Sequence, residues 1–292
     1  MKFKIIHTTV YQYFESVPFG HHKSWLIPRD TQNQVCEKFD IQIGPKPADF
    51  IERTDIFGNK TLYFTIPYLH KELVVTTRSI VKLLNKNIVP LPLDDSLTYE
   101  QAINYLNSYA SKNSELTQYL LESPFVTISP KIREYALESV ENSRPVKEIV
   151  FEINQRINQD FEFVPGYTNI STPISQVMLD RKGVCQDFSH LAIACFRSIG
   201  LLAKYMSGYI ETLPPPGQTK LKGADASHAW LAVYAPNLGW IEIDPTNNVV
   251  PKEQHVLLSF GRDYSDVPPI KGVIMSGSGH NLLVSVDMEA IE

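Results

Sequence analysis

Three residue types in the second half of the chain could together perform nucleophilic catalysis. Cys185 follows Gly183-Val184 and begins a segment with helical periodicity that ends at Gly200. The first N–H groups of a helix lack intrahelical acceptors, and their partial positive charge stabilises a thiolate. A cysteine at a helix start is nevertheless more often a small semi-buried residue. A catalytic role therefore requires a base close to it.

A predicted β-hairpin downstream offers that base together with a carboxylate. Strand-like residues 227–234 and 238–244 flank a turn rich in Pro, Asn and Gly, and a turn centred on Pro236 places His228 directly opposite Asp244. Such neighbours lie within side-chain hydrogen-bond reach, and a register shifted by two residues would leave them diagonal. The carboxylate would fix the imidazole tautomer, and the other ring nitrogen would accept and return the thiol proton. A histidine and an aspartate on neighbouring strands are by themselves typical of a surface ion pair. Together with Cys185 at a helix start, they favour a Cys-His-Asp triad.

The other two cysteines lack such surroundings. Cys36 lies in a predicted strand, and Cys195 lies among apolar residues inside the helix that Cys185 begins. A count of three cysteines leaves at least one thiol free and is too low for a disulfide scaffold. We expect all three to be unpaired and only Cys185 to be reactive.

The elements that position these residues fall into three predicted regions. Residues 1–95 show period-two alternation, which predicts a β-sandwich-like domain that ends near Pro90–Pro92. Residues 96–145 change to helical periodicity and form a connecting region. Residues 146–292 combine helices and strands into the catalytic core, so the fold class is α+β.

The clearest strand signal is the alternation between residues 35 and 43. Apolar residues occupy one parity and polar residues the other, which predicts a half-buried strand with one face towards the core. The residues predicted to share the buried face are Val35, Phe39, Ile41 and Ile43.

Composition excludes several classes of protein. The chain has 292 residues, 43% of them hydrophobic, which excludes intrinsic disorder. A formal net charge of -5 argues against nucleic acid or an anionic membrane as the main partner. No apolar run approaches the roughly 18–20 residues of a membrane span, and the N-terminus shows no targeting segment. We therefore expect a cytoplasmic protein.

Several blocks of sequence resemble one known family, the bacterial transglutaminase-like superfamily. The early segments Tyr11–Tyr13 and Leu26–Arg29 are similar to the N-terminal domain that accompanies its bacterial members. The order and approximate spacing of the later blocks match the family's core, namely Gly183–Phe188, Arg197–Ala203, Ser227–Trp230 and Gly239–Asn247, and Gly261–Pro269 resembles a segment found after that core. The resemblance implies a papain-like core in which Cys185 is the nucleophile, His228 the base and Asp244 its orienting carboxylate.

Further residues are candidates for supporting roles. The backbone N–H of Cys185 is well placed to bind the oxyanion of a tetrahedral intermediate, and Tyr167 is the candidate for a second donor. Trp230 and Trp240 could wall the cleft, although packing is the more usual role of a strand tryptophan. No spacing typical of a metal site or a nucleotide cradle occurs, so we expect neither a metal nor a cofactor.

The predicted function is thiol-dependent acyl transfer at amide bonds of a protein or peptide substrate. The resembling superfamily includes cysteine peptidases, crosslinking enzymes and deamidases, which share a thioester acyl-enzyme and differ in the acceptor. Hydrolysis is favoured because water is the default acceptor. Crosslinking or deamidation of protein glutamine and a non-catalytic binding scaffold stay open as alternatives.

Overall fold

The computed structural model describes residues 1–84, 96–110, 113–212 and 226–291. The predicted boundary at Pro90–Pro92 lies outside these ranges. Fourteen strands are β1 (Lys2–Val17), β2 (Gly20–Ser24), β3 (Gln34–Gly44), β4 (Asp49–Thr54), β5 (Lys60–Ile66), β6 (His70–Leu83), β7 (Glu162–Phe163), β8 (Lys182–Gly183), β9 (Ala203–Ile210), β10 (Ala226–Ala235), β11 (Gly239–Ile243), β12 (His255–Gly261), β13 (Ile270–Ile274) and β14 (His280–Ala290). The α-helices within the same ranges are α1 (Tyr99–Ala110), α2 (Ser114–Thr117), α3 (Pro130–Leu137), α4 (Val146–Asp160), α5 (Ile174–Asp180) and α6 (Cys185–Ser198). None of the helices within the described ranges is long and apolar enough to cross a membrane.

The N-terminal module consists of two four-stranded antiparallel sheets. Their strand orders are β14-β1-β6-β3 and β13-β2-β5-β4. Alternating apolar residues of both sheets, such as Ile5, Val75 and Phe64, form one buried cluster. Two sheets that share a core in this way are the predicted β-sandwich-like arrangement.

A β-bulge changes the predicted burial of β3. The pairing of β3 with β6 shifts between Cys36 and Lys38, so one extra residue interrupts the alternation. Val35 is consequently 38% exposed, whereas Phe39 is partly buried as predicted. Placing Val35 on the buried face was wrong because a bulge reverses the parity of the residues before it.

The last two strands return to the N-terminal module. β14 pairs with β1 from Phe3–Ala290 to Tyr13–His280, and β13 pairs with β2. The predicted division, with residues 146–292 forming only the catalytic core, therefore does not hold for these two strands. Local alternation cannot show which distant strand a segment will pair with, because the pairing is a long-range contact.

A third antiparallel sheet and helix α6 form the core. The sheet has the order β11-β10-β9-β12, and α6 packs against β9 and β10. The helix face includes Phe188 and Leu191, which pack with Leu231 and Ile243 of the sheet. Tyr209 of β9 lies on the same sheet face as Leu231, and together with Val256 and Leu258 of β12 it joins the N-terminal cluster. Helices and the sandwich therefore both pack against this sheet.

Candidate active site

Cys185 is the first residue of α6, as the sequence predicts. The carboxylate of Asp187, on the first turn, accepts the backbone N–H of Val184 at 2.8 Å and the hydroxyl of Thr168 at 2.5 Å. These bonds fix the chain as it enters the helix. The N–H of Cys185 belongs to the first turn and has no intrahelical acceptor. It is therefore available to a ligand.

The hairpin that carries His228 and Asp244 has a different register from the predicted one. Leu231 pairs with Ile243 and Ala235 with Gly239, which is a shift of two residues from a turn centred on Pro236. His228 and Asp244 are therefore diagonal rather than directly opposite. They still meet, because His228 Nε2 lies 2.7 Å from Asp244 Oδ2.

The Asp244 carboxylate is completely buried and heavily hydrogen-bonded. Besides His228, its Oδ2 accepts His255 Nε2 at 3.0 Å and Asn247 Nδ2 at 2.7 Å. Its Oδ1 accepts the backbone N–H groups of Thr246 at 2.9 Å and Asn247 at 3.2 Å. Burial alone would raise the pKa of Asp244, but the bonds from His228, His255 and Asn247 outweigh it and hold that pKa well below its usual range.

The His228 imidazole joins the carboxylate to the thiol. Its Nε2 faces Asp244, and the ring also hydrogen-bonds Cys185, which leaves Nδ1 for the sulfur. Burial lowers the pKa of His228, but the hydrogen bonds and negative charges of Asp244 and Cys185 outweigh it and raise the pKa to about 10. The arrangement can hold an imidazolium between a carboxylate and a thiolate.

Cys185 and His228 border a common cavity of about 430 Å³. Gln186 and Tyr205 contribute to the same wall. The opposite wall comes from the N-terminal module, including Tyr11 of β1. The candidate site therefore lies in a cleft between the core and the sandwich.

Tyr167 was the wrong candidate for a second oxyanion donor. Its side chain is 47% exposed, and its hydroxyl donates to Asp180 Oδ2 at 2.9 Å. It is not among the described residues that border the cavity around Cys185. A loop aromatic close in sequence to the nucleophile is here directed towards helix α5 instead.

The two tryptophans do not wall this cavity either, within the described part of the chain. Trp230 is 1% exposed, and its indole N–H donates to Glu242 Oε2 at 2.9 Å. Trp240 packs edge-on against Tyr119, and the ammonium of Lys204 lies over its ring. Both rings serve packing, the more usual role of a strand tryptophan.

Sequence reasoning missed the second histidine at Asp244. His255 begins β12 and is buried against Trp230, with ring centroids 5.2 Å apart. The sequence signal is weak, because a histidine before an apolar strand has no characteristic spacing from Asp244. Asn247, at the end of the Gly239–Asn247 block, likewise has no sequence signal for its hydrogen bond to Asp244.

His228, Asp244 and His255 are also the group best able to hold a metal ion among the described residues. Their ligand atoms lie within 4.8 Å of one another. Hydrogen bonds from both imidazoles to the carboxylate account for this cluster without a metal. The absence of a metal from the reaction stays a prediction.

Sequence comparison connects both parts of the chain with one family. Residues 3–82 match the bacterial transglutaminase-like N-terminal region, and residues 133–245 match the transglutaminase-like superfamily. An uncharacterized protein of Mycobacterium tuberculosis is 36% identical over 298 aligned positions, which cover 100% of this chain and 93% of that protein. The chain belongs to the transglutaminase-like superfamily.

Two further comparisons place this transglutaminase-like protein among better described relatives. A protein-glutamine gamma-glutamyltransferase of Pseudomonas aeruginosa is 26% identical over 128 residues, 42% of this chain and 19% of that protein. A crystal structure from Cytophaga hutchinsonii, described as a "putative cysteine protease", matches with a TM-score of 0.76 at 21% identity. That match covers 100% of this chain and 92% of the other, and it confirms the predicted fold.

Proposed function

We propose that this protein is a thiol-dependent enzyme that hydrolyses amide bonds of a protein or peptide through Cys185, His228 and Asp244. The observation that carries the proposal is the position of His228, which hydrogen-bonds Asp244 through Nε2 and also bonds the side chain of Cys185. A carboxylate, an imidazole and a thiol in this order form an activated nucleophile.

The proposed steps follow from the order of these three groups. The Cys185 thiolate adds to the amide carbonyl carbon, and the backbone N–H of Cys185 stabilises the oxyanion. The C–N bond then breaks, the amine leaves with the proton of the His228 imidazolium, and a thioester remains. Water adds to the thioester while His228 takes its proton. The C–S bond breaks, which releases a carboxylic acid and restores the thiolate.

Asp244 holds His228 in the tautomer that this sequence of steps requires. Since Nε2–H points to the carboxylate, Nδ1 is the nitrogen that exchanges the proton with sulfur and the leaving amine. A scaffold without catalytic activity has no need of a buried carboxylate, imidazole and thiol bonded in series. The geometry therefore supports an enzyme over a binding module.

Trapping the acyl-enzyme tests this proposal directly. The purified protein is incubated with a peptide-amide library and quenched in acid, and the peptide that contains Cys185 is analysed by mass spectrometry. We expect an acyl adduct on Cys185 and loss of activity in Cys185→Ala, with Cys36→Ala as the matched control that keeps both. Activity that survives Cys185→Ala would overturn the proposal.

The same experiment distinguishes hydrolysis from crosslinking. The Pseudomonas relative is named as a glutamyltransferase, so a primary amine is the competing acceptor to examine. We expect the free acid to remain the main product when a primary amine is added. Preferential transfer of the acyl group to the amine would show that the protein catalyses transglutamination rather than hydrolysis.

A further inference from the structure

The N-terminal module supplies one complete wall of the cavity that contains Cys185. Alternate residues on one face of a sheet share that face, and the β1 and β14 residues that border the cavity are spaced in this way. They form three directly opposed cross-strand pairs, His7 with Val286, Thr9 with Val284, and Tyr11 with Leu282. The β14 residue between two of them, Leu283, is on the other face.

This wall lies across the cleft from the catalytic candidates. Cys185 at the start of α6 and His228 on β10 form the opposite side, and Ile270 borders the same cavity. A group held next to the thiol must therefore also contact β1 and β14. The N-terminal module is in position to select what enters.

The cavity offers no partner for a charged substrate group apart from the catalytic pair itself. No Asp, Glu, Lys or Arg side chain within the described ranges borders it. Burial lowers the pKa of His7 to about 4, and that ring is already bonded to Thr9 at 2.7 Å and Tyr209 at 3.0 Å. Moving an unpaired charge into such surroundings costs free energy, whereas an apolar group gains it.

A second cavity of about 420 Å³ continues the cleft. It shares Tyr11, Tyr264, Ile270 and Leu282 with the first cavity and adds Lys271 and the aromatic rings of Tyr13, Phe125 and His280. Two adjoining cavities with common walls have room for neighbouring groups of one chain. A small isolated amide would occupy only the first.

We propose that the β1–β14 wall is a substrate subsite, and that the acyl donor is a peptide segment with an uncharged apolar or aromatic side chain beside the amide that reacts. That side chain packs on Val284 and Leu282. This proposal rests on the proposed function, because it takes Cys185 as the point of attack.

Methanethiosulfonate reagents of different shape and charge test the wall without a known substrate. Each transfers its RS group to a thiolate, which forms a mixed disulfide and releases methanesulfinate. The rate at Cys185 is measured by peptide mapping for methyl, benzyl and anionic sulfonatoethyl reagents, each relative to N-acetylcysteine. We expect the ratio of the benzyl rate to the methyl rate at Cys185 to exceed that of the free thiol by about tenfold. The sulfonatoethyl reagent should react more slowly at Cys185 than the methyl reagent, each relative to N-acetylcysteine.

Three variants locate the effect. Val284 and Leu282 are 50% and 51% exposed, so Val284→Asp and Leu282→Asp should fold, and the methyl rate verifies an intact thiol. Both should bring the benzyl-to-methyl ratio down to that of the free thiol. Leu283→Asp, on the other face of the same strand and 55% exposed, is the matched control and should leave the ratio unchanged.

The outcomes separate this proposal from the proposed function. A benzyl-to-methyl ratio equal to that of N-acetylcysteine, or an equal loss in Leu283→Asp, would overturn the subsite. A methyl rate at or below that of N-acetylcysteine would instead contradict the activated thiol. Because the ratio does not depend on the absolute rate, each failure can be recognised by itself.

Discussion

At the scale of single residues, the carboxylate of Asp244 organises the site. It is fully buried and accepts side-chain hydrogen bonds from His228, His255 and Asn247, together with two backbone N–H groups. A buried carboxylate with this many donors remains ionised, and its charge keeps a proton on His228. Asp244 thus contributes more than Cys185 to keeping the proposed acid-base group protonated.

The pH dependence of activity should report the His228 proton. Its folded-state pKa of about 10 lies above the ordinary 6.5, so the imidazolium stabilises the fold fully below pH 6.5 and this contribution is lost as pH rises through about 10. Expulsion of the amine uses the same proton, so kcat/KM for hydrolysis should fall over that alkaline range. Asp244→Asn should move this decline towards pH 6.5 and lower kcat/KM by roughly 10²–10⁴-fold. A decline unaffected by Asp244→Asn would contradict the assigned role of Asp244.

His255 should act as a positioning residue for Asp244. His255→Phe keeps a ring against Trp230 but removes the donor to a buried carboxylate, so the free energy of unfolding should fall by about 1–3 kcal/mol. Methyl methanethiosulfonate should also react more slowly at Cys185. His255→Gln, which retains an N–H donor, should recover part of both losses in urea unfolding and labelling. Equal behaviour of the Phe and Gln variants would show that the hydrogen bond has no effect.

The sequence predicted which residues meet at the site but not all of their partners. Cys185 at a helix start and the His228–Asp244 hairpin are local features, and a two-residue error in register left the pair diagonal and in contact. His255 reaches Asp244 only because β12 pairs with β9, on the edge of β9 that faces away from β10. Periodicity carries no information about that order of strands. For the same reason, closeness in sequence misplaced Tyr167.

At the scale of elements, Gly208 allows the core sheet to close around the site. It lies on β9 directly opposite His228 of β10. A Cβ atom there would lie 2.0 Å from the carbonyl oxygen of Val256 and 2.7 Å from the ring of Trp230. Glycine at this position therefore lets β12, which carries His255, approach β9. It also lets the indole of Trp230 pack over β9 at Gly208.

Gly208→Ala should disturb both the sheet and the site. Because the closest atom belongs to the backbone of β12, that strand has to move, and the free energy of unfolding should fall by about 2–4 kcal/mol. Labelling of Cys185 should also slow, since His255 is displaced from Asp244. Gly277→Ala is the matched control, as a Cβ there meets nothing within 4 Å. Denaturant unfolding that is unchanged in Gly208→Ala would contradict this packing.

Element prediction from the sequence was accurate where the pattern is local. The helical segment that begins at Cys185 corresponds to α6, and the two strands of the predicted hairpin correspond to β10 and β11. The bulge in β3 was not predictable, because an extra residue leaves no mark in composition. The fully buried strand β12 has no alternation to detect.

At the scale of the whole molecule, the N-terminal module and the core share their interior. Tyr209, Val256 and Leu258 of the core sheet pack in the cluster that contains Phe3 and Phe64 of the sandwich. The chain also returns through β14, which pairs with β1 along 11 residue positions. Neither part has a complete hydrophobic core without the other.

A fragment of residues 96–292 should consequently fail to fold as a stable unit. It would expose Tyr209, Val256 and Leu258 of the core sheet and leave β13 and β14 without their partner strands. We expect an aggregating or disordered fragment by circular dichroism and size-exclusion chromatography. The full chain should show one cooperative unfolding transition by both circular dichroism and fluorescence. A fragment with native spectra and full labelling at Cys185 would show that the module is dispensable.

The rate of iodoacetamide alkylation at Cys185, measured against pH by peptide mapping, tests the central proposal most directly. About 3% of a free thiol with a pKa near 8.5 is ionised at pH 7, so a thiolate paired with the His228 imidazolium should react roughly tenfold faster than N-acetylcysteine. Burial raises the pKa of Cys195 to about 12 and also raises that of Cys36, so both provide slow internal references. We predict that Cys185 reacts fastest and that His228→Ala reduces its rate to that of the free thiol. A Cys185 no faster than N-acetylcysteine, with a rate unaffected by His228→Ala, would contradict the catalytic triad.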